Sequence, residues 1–90
     1  MRSPSYSGQF QRDVKLAERR GKDMRKLKQI LSLLIAGQAL PARLKDHPLK
    51  GEWKGCPDLH IEPDWLLIYR VDGKTVRFER TGTHADLFRE

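Results

Sequence analysis

The pair Asp72-Gly73 restricts the folding of this 90-residue chain more than any other feature. It stands inside WLLIYRVDGKTVRFER, between two runs rich in apolar, β-branched and aromatic residues. Asp-Gly favours a two-residue type I′ turn, because both central positions take positive φ. A β-hairpin is therefore expected here, and its turn sets the register. Counted outward, Val71 faces Lys74, Tyr69 faces Val76, Leu67 faces Phe78 and Trp65 faces Arg80, all on one sheet face. Leu67, Tyr69, Val76 and Phe78 then form an apolar surface for a helix layer to cover.

Two helices are predicted to supply that layer. From Ser7 to about Arg20 the apolar residues Phe10, Val14 and Ala17 fall at helical spacing with charges between them, and Gly21 breaks the pattern. Asp23 is placed to cap a second helix in which Met24, Leu27, Ile30, Leu31 and Leu34 share one face. Arg25, Lys26 and Lys28 lie opposite, and Gly37 closes the helix.

The stretch QALPARLKDHPLKGEWKG has no sustained period and reads as an ordered loop. In PDLHIEP the period becomes two, sending Asp58, His60 and Glu62 to one strand face and Leu59 and Ile61 to the other. Near the end Thr83 is placed to cap a short turn with Asp86 three residues on, which leaves His84 in the first turn and Phe88 near its close. Ninety residues build one domain, with one helix layer on one sheet.

The 18 Lys and Arg outnumber 12 Asp and Glu, and a formal charge of +6 on so short a chain favours a polyanionic partner, nucleic acid first. A basic soluble protein without such a partner has the same composition. The one cysteine, Cys56, cannot form an internal disulfide, so a reducing cytoplasm is expected. MRSPSYSGQF has no apolar core of signal-peptide length and ILSLLIAG is too short to cross a bilayer, which argues against export and against a membrane protein.

The residues able to do chemistry are His47, Asp58, His60, Glu62, Asp64 and His84. The predicted strands allow most of them to gather on one side of the sheet. The hairpin register brings Asp64 and Trp65 to its open end opposite Arg80 and Thr81, where the chain runs on into His84. Histidine, with an ordinary pKa of about 6.5, both takes and gives a proton near neutrality. Metal-free RNA cleavage needs both acts, one at the 2′-hydroxyl and one at the departing 5′-oxygen, with positive charge to stabilise the phosphorane between them.

Plainer roles are open to each residue: solvated loop histidines, Asp64 capping a turn after Pro63, Asp58 and Glu62 on a wet strand face, Trp53 and Trp65 in the core, Arg80 stacked on Trp65. Cys56, His60 and neighbouring His and Asp residues match no usual zinc spacing. Nothing marks Cys56 as an activated nucleophile, and no phosphate-cradling glycine loop is present.

The segments YSGQFQRDVKLAERRGKDMRKLK, LKDHPLKGEWKG, DLHIEPDWLLIYR and RFERTGTHADLF, in that order, resemble the YafQ branch of the RelE/ParE toxin superfamily. The similarity runs from about Tyr6 to Phe88, and K-D-H-P-L, H-x-E-P-D-W and R-T-G-T-H are its specific motifs. The resemblance implies an α+β fold of two N-terminal helices on a small, mostly antiparallel sheet with a short C-terminal helix. MRSP is expected to weaken or alter the family's first edge strand.

It further implies a type II toxin that acts as a metal-independent endoribonuclease on messenger RNA at the ribosome, with no cofactor and with a cognate antitoxin as partner. Carried over residue by residue, the acid–base cluster falls on His47, His60, Asp64 and His84. Trp65 and Phe88 would hold the message by stacking, Asp58 matches a further active-site aspartate, and Arg80 and Lys45 would contact substrate. Within this set His84 is expected to be the acid, His60 and Asp64 to act on the base side, and His47 to position the scissile phosphate. The helix cations and the stretch from Lys45 to Lys54 would meet ribosomal RNA. Two competing readings are a toxin that binds and poisons DNA gyrase without chemistry, and a passive basic RNA-binding module.

Overall fold

Both helices start and stop at their capping residues. Helix α1 spans Gly8–Arg19, with the Ser7 hydroxyl accepting from the Phe10 N–H at 2.9 Å. Helix α2 spans Met24–Ala36, with the Asp23 carboxylate accepting from the Arg25 N–H at 3.1 Å and Gly37 closing it in the left-handed conformation. A computed structural model describes residues 1–38, 40, 47–48 and 57–88, those at 47–48, 57–58 and 88 in the backbone alone.

The sheet contains β1 (Ser3–Tyr6), β2 (His47–Pro48), β3 (Pro57–Glu62), β4 (Trp65–Asp72) and β5 (Thr75–Gly82), and helix α3 (His84–Phe88) follows. Spatial order is β1-β5-β4-β3-β2, with β1 parallel to β5 and the other neighbours antiparallel. The α+β architecture expected from the sequence is the one found. The strand expected to be weakened by MRSP forms over Ser3–Tyr6, pairing Pro4 with Val76 and Tyr6 with Phe78.

The helices bury Phe10, Ala17, Leu27, Ile30 and Leu34 against Leu59, Ile61, Trp65, Leu67, Tyr69, Val76 and Phe78. Strand β4 is central and buried on both sides, since Leu66 and Ile68, which alternate with the helix-facing residues, are also fully buried. The unbroken apolar run WLLI is the sequence mark of such a strand.

The hairpin register differs from the one expected. The two loop residues are Gly73 and Lys74, so that Asp72 pairs with Thr75, Val71 with Val76 and Tyr69 with Phe78. Gly73 takes the positive φ, +59°, and the Thr75 hydroxyl donates to the Asp72 carbonyl at 2.7 Å. From Tyr69 to Asp72 each residue of β4 meets a partner two places later than expected, and because strand side chains alternate with period two, the core face is unchanged. A bulge then follows: Ile68 pairs with Arg80 and Leu67 with Thr81, leaving Glu79 as the extra residue. The Glu79 carbonyl accepts from the Ser7 hydroxyl at 2.6 Å, which ties the start of α1 to this bulge. Trp65 therefore does not face Arg80; its partner is Glu62 on β3.

A second bulge, in β3 between His60 and Glu62, corrects the expectation that Asp58, His60 and Glu62 share a face. Glu62 turns to the helix layer and pairs with Lys26 at 2.8 Å and Lys22 at 3.5 Å. Most of the stretch expected as an ordered loop lies outside the described residues, but within it β2 pairs His47 with Asp58.

Candidate active site

The open end of the β4–β5 hairpin gathers the candidate residues through three local devices. First, Pro63 and Asp64 turn the chain between β3 and β4, leaving Asp64 exposed beside the sheet edge. Second, Thr83 and Asp86 form the reciprocal cap read from the sequence: Asp86 Oδ2 accepts from the Thr83 N–H at 3.0 Å and Thr83 Oγ1 accepts from the Asp86 N–H at 3.1 Å. His84 is thereby held as the first residue of α3. Third, the Trp65 indole N–H donates to Thr81 Oγ1 at 3.0 Å, while that hydroxyl donates to the Leu66 carbonyl at 2.7 Å. This locks the ends of β4 and β5 together.

Asp64 then meets His84 twice. Its Oδ1 accepts from the His84 backbone N–H at 2.9 Å and lies 2.6 Å from His84 Nδ1. These two donors, the backbone one first, hold the Asp64 carboxyl below its ordinary value, and Lys22 adds a smaller pull. The carboxylate is thus ionised at neutral pH and can only accept hydrogen bonds, so Nδ1 must carry the proton in this contact. The Nδ1 side of the imidazole is thus committed to Asp64.

His60, half-buried on β3, completes the group. Its ring centroid lies 5.8 Å from that of His84 with the planes tilted by 41°. A side chain acts on a proton at about 3 Å, so two imidazoles this far apart can serve opposite sides of one phosphodiester. Side-chain exposures of 65% for Asp64 and 38% for His84 leave both open to a substrate.

His60, Asp64 and His84 are therefore brought together as the sequence led one to expect, with one change of partnership: Asp64 is bonded to His84 and does not sit with His60 as a base-side pair. The backbone sets His47 opposite Asp58 on the strand neighbouring His60, and Phe88 ends α3; the side chains of these three residues lie outside the described set, as does Lys45.

Two expected substrate contacts receive structural roles. Trp65 is 1% exposed and presents no free face for a base to stack on; Lys22 Nζ sits 5.8 Å from its ring centroid. Arg80 forks onto the buried Asp13 of α1, with Nε to Oδ2 at 2.7 Å and an Nη to Oδ1 at 3.1 Å, and the Thr81 N–H also donates to Asp13 at 3.2 Å. Asp13 was missed from sequence, although an acid at i+3 from Phe10 on the apolar stripe of α1 was a readable sign of it. Arg20, bonded to Asp86 at 2.6 and 3.2 Å, was also missed, since it joins residues 66 positions apart.

Among the described residues no helix is long and apolar enough to cross a membrane. The family model described as the bacterial toxin of type II toxin–antitoxin system, YafQ, matches residues 2–89. The chain is 60% identical over 88 residues to the mRNA interferase toxin YafQ of Escherichia coli K12, covering 97% of this chain and 96% of that one. Its fold superposes on the crystal structure of YafQ from E. coli BL21(DE3) with a TM-score of 0.92 at 58% identity, covering 98% and 99% of the two chains. Toxin in the crystal structure of the E. coli DinJ–YafQ toxin–antitoxin complex superposes with a TM-score of 0.90 at 60% identity, covering 97% of each chain.

Proposed function

The chain belongs to the YafQ family of bacterial type II toxins, and from that membership we propose that it is an mRNA interferase whose cut is made by acid–base chemistry at His84 and His60. The names of its relatives favour this over gyrase poisoning. The observation that carries the mechanism is the Asp64 contact at 2.6 Å to His84 Nδ1, with the His60 ring 5.8 Å from that of His84.

In this reading His60 takes the proton of a 2′-hydroxyl, and the resulting oxygen attacks the adjacent phosphorus. The bond to the 5′-oxygen breaks as His84 gives that oxygen its proton from Nε2. The products are a 2′,3′-cyclic phosphate and a free 5′-hydroxyl. Asp64 holds the His84 ring by its Nδ1 side, so that the acid is aimed before the bond breaks. The pentacoordinate phosphorus is stabilised by the imidazolium and, by family pattern, by His47; no metal ion takes part. Phe88 stacks on a base, and Asp58 and Lys45 complete the contacts to the message.

The exposed cations Arg12, Lys15, Arg19, Arg25 and Lys28 on the helices suit ribosomal RNA, as a cytoplasmic toxin working on translating ribosomes requires. The cognate antitoxin is the protein partner, with an acidic or amphipathic segment matching this basic surface.

The test is to express wild type, His84→Ala and His60→Ala and to map cuts on translating and on naked RNA. Wild type should cut at fixed codon positions with a bell-shaped pH dependence, and each alanine variant should lose one limb of the bell and most of the rate. Full cleavage and full growth arrest by His84→Ala would sink the mechanism, and DNA breaks without RNA cuts would sink the function.

A further inference from the structure

The elbow between α1 and α2, Arg20-Gly21-Lys22, reaches both halves of the site. Arg20 holds α3: one Nη lies 2.6 Å from Asp86 Oδ2 and the other 3.2 Å from Oδ1, while Asp86 Oδ2 also accepts from the N–H of Thr83, the residue before His84. Two residues on, Lys22 Nζ lies 3.5 Å from Glu62, just ahead of the turn that carries Asp64. One short piece of the helix layer thus holds the element bearing His84 and the strand end leading into Asp64.

The bond between Asp64 and His84 has need of such support. Both side chains are substantially exposed, so solvent competes for their contact. Helix α3 has five residues, far fewer than the roughly 12 to 15 at which an isolated helix becomes even marginally stable, so its position comes from tertiary contacts. The fit around Asp86 is also close. A Cβ added at Gly82 would lie 3.0 Å from both Cβ and Oδ2 of Asp86, so any larger residue here would push the carboxylate aside by a few tenths of an ångström. The Asp86 carboxyl is held down to about 2, first by its hydrogen bonds from Arg20, so the pair stays charged wherever histidines titrate.

We propose that Arg20 and Asp86 are positioning residues for catalysis: their ion pair, seated against Gly82, sets the start of α3 so that His84 meets Asp64 and stands across from His60. The inference rests on the acid–base mechanism above. Arg20 touches neither substrate nor reacting atoms; it acts through Asp86 and Thr83 on the placement of one imidazole.

The test uses the full chain freed of antitoxin and compares wild type, Arg20→Gln, Arg20→Lys, Gly82→Ala, His84→Ala and the double variant of Arg20→Gln with His84→Ala. Arg20→Gln should cleave RNA with kcat about tenfold lower and KM unchanged, in line with the cost of misplacing a catalytic group. Its His84 ring resonances should shift in NMR spectra of the RNA-free protein. Arg20→Lys should restore part of the rate, and Gly82→Ala, which crowds Asp86 without altering any charge, should reproduce both effects should Arg20→Gln fail to fold.

In the His84→Ala background, Arg20→Gln should cost nothing more, because no imidazole is left to misplace. Wild-type kcat with unchanged His84 signals in both Arg20→Gln and Gly82→Ala overturns the proposal. So does a further loss in the double variant that follows a fall in Tm, which would make Arg20 a support of the fold alone. Full activity of His84→Ala by itself would instead strike the underlying mechanism.

Discussion

Asp64 Oδ1 receives two donors from a single residue, the backbone N–H and the Nδ1 of His84, at 2.9 and 2.6 Å. One oxygen thus fixes both where the imidazole begins and which way its ring points. The arrangement gives each neighbouring residue a distinct and measurable role.

Replacing Asp64 by alanine removes the ring's orienting partner and its compensating charge. Single-turnover RNA cleavage should slow by roughly 10²-fold or more, the usual contribution of a positioned acid–base group. Asp64→Asn, which keeps an acceptor for the His84 N–H but not the charge, should fall between this variant and wild type. Equal rates for Asp64→Ala and wild type would show that His84 needs no partner.

Asp86 carries a pH dependence whose sign is determined. Its carboxyl sits at about 2 in the folded chain, below the ordinary 3.8. Its contribution to stability is therefore fully present above the ordinary value and is lost as pH falls from there toward about 2. Asp86→Asn should lower stability at pH 7 by about 1 kcal/mol, allowing for solvent screening of a partly exposed pair. The difference from wild type should shrink to nothing in acid. Denaturant melts at pH 7, 4 and 2 check this, and a constant difference across that range would exclude it.

Asp13 is 7% exposed and accepts from Arg80 twice and from the Thr81 N–H. Asp13→Ala leaves a largely buried guanidinium and a buried N–H without their acceptor. The expected loss is about 3 kcal/mol in urea unfolding, the scale for breaking one side of a buried ion pair. Asp13→Asn, which still accepts one of these bonds, should lose less.

Trp65→Phe separates support from base stacking. The phenyl ring refills most of the space but loses the donor to Thr81, so about 1 to 2 kcal/mol of stability should go. KM for RNA should stay at the wild-type value, because the indole face is buried. A several-fold rise in KM at unchanged stability would return Trp65 to the substrate-binding set.

Much of the fold could be read residue by residue because its signals are local. Ser7, Asp23 and Gly37 mark helix ends through bonds spanning only a few positions, and the Thr83–Asp86 cap is of the same kind. Leu67, Tyr69, Val76 and Phe78 are legible as core although the hairpin register differs from the expected one, since alternation along each strand survives a change of cross-strand partner. The family motifs likewise placed His60, Asp64 and His84 in one candidate cluster, and the fold brings these three together.

Other features were decided only when the chain folded. The bulge at Glu79 moves Thr81 opposite Leu67 and, with it, the place where His84 emerges; the bulge after His60 turns Glu62 away to the helix lysines. Asp64 was thus assigned to His84, Arg80 to Asp13 and Arg20 to Asp86, across separations of 20, 67 and 66 residues. Local periodicity determines which face a side chain occupies, because neighbouring backbone geometry sets it. Which distant group it meets depends on bulges and on how a helix layer settles on the sheet, and these are fixed by the packing of the whole chain at once.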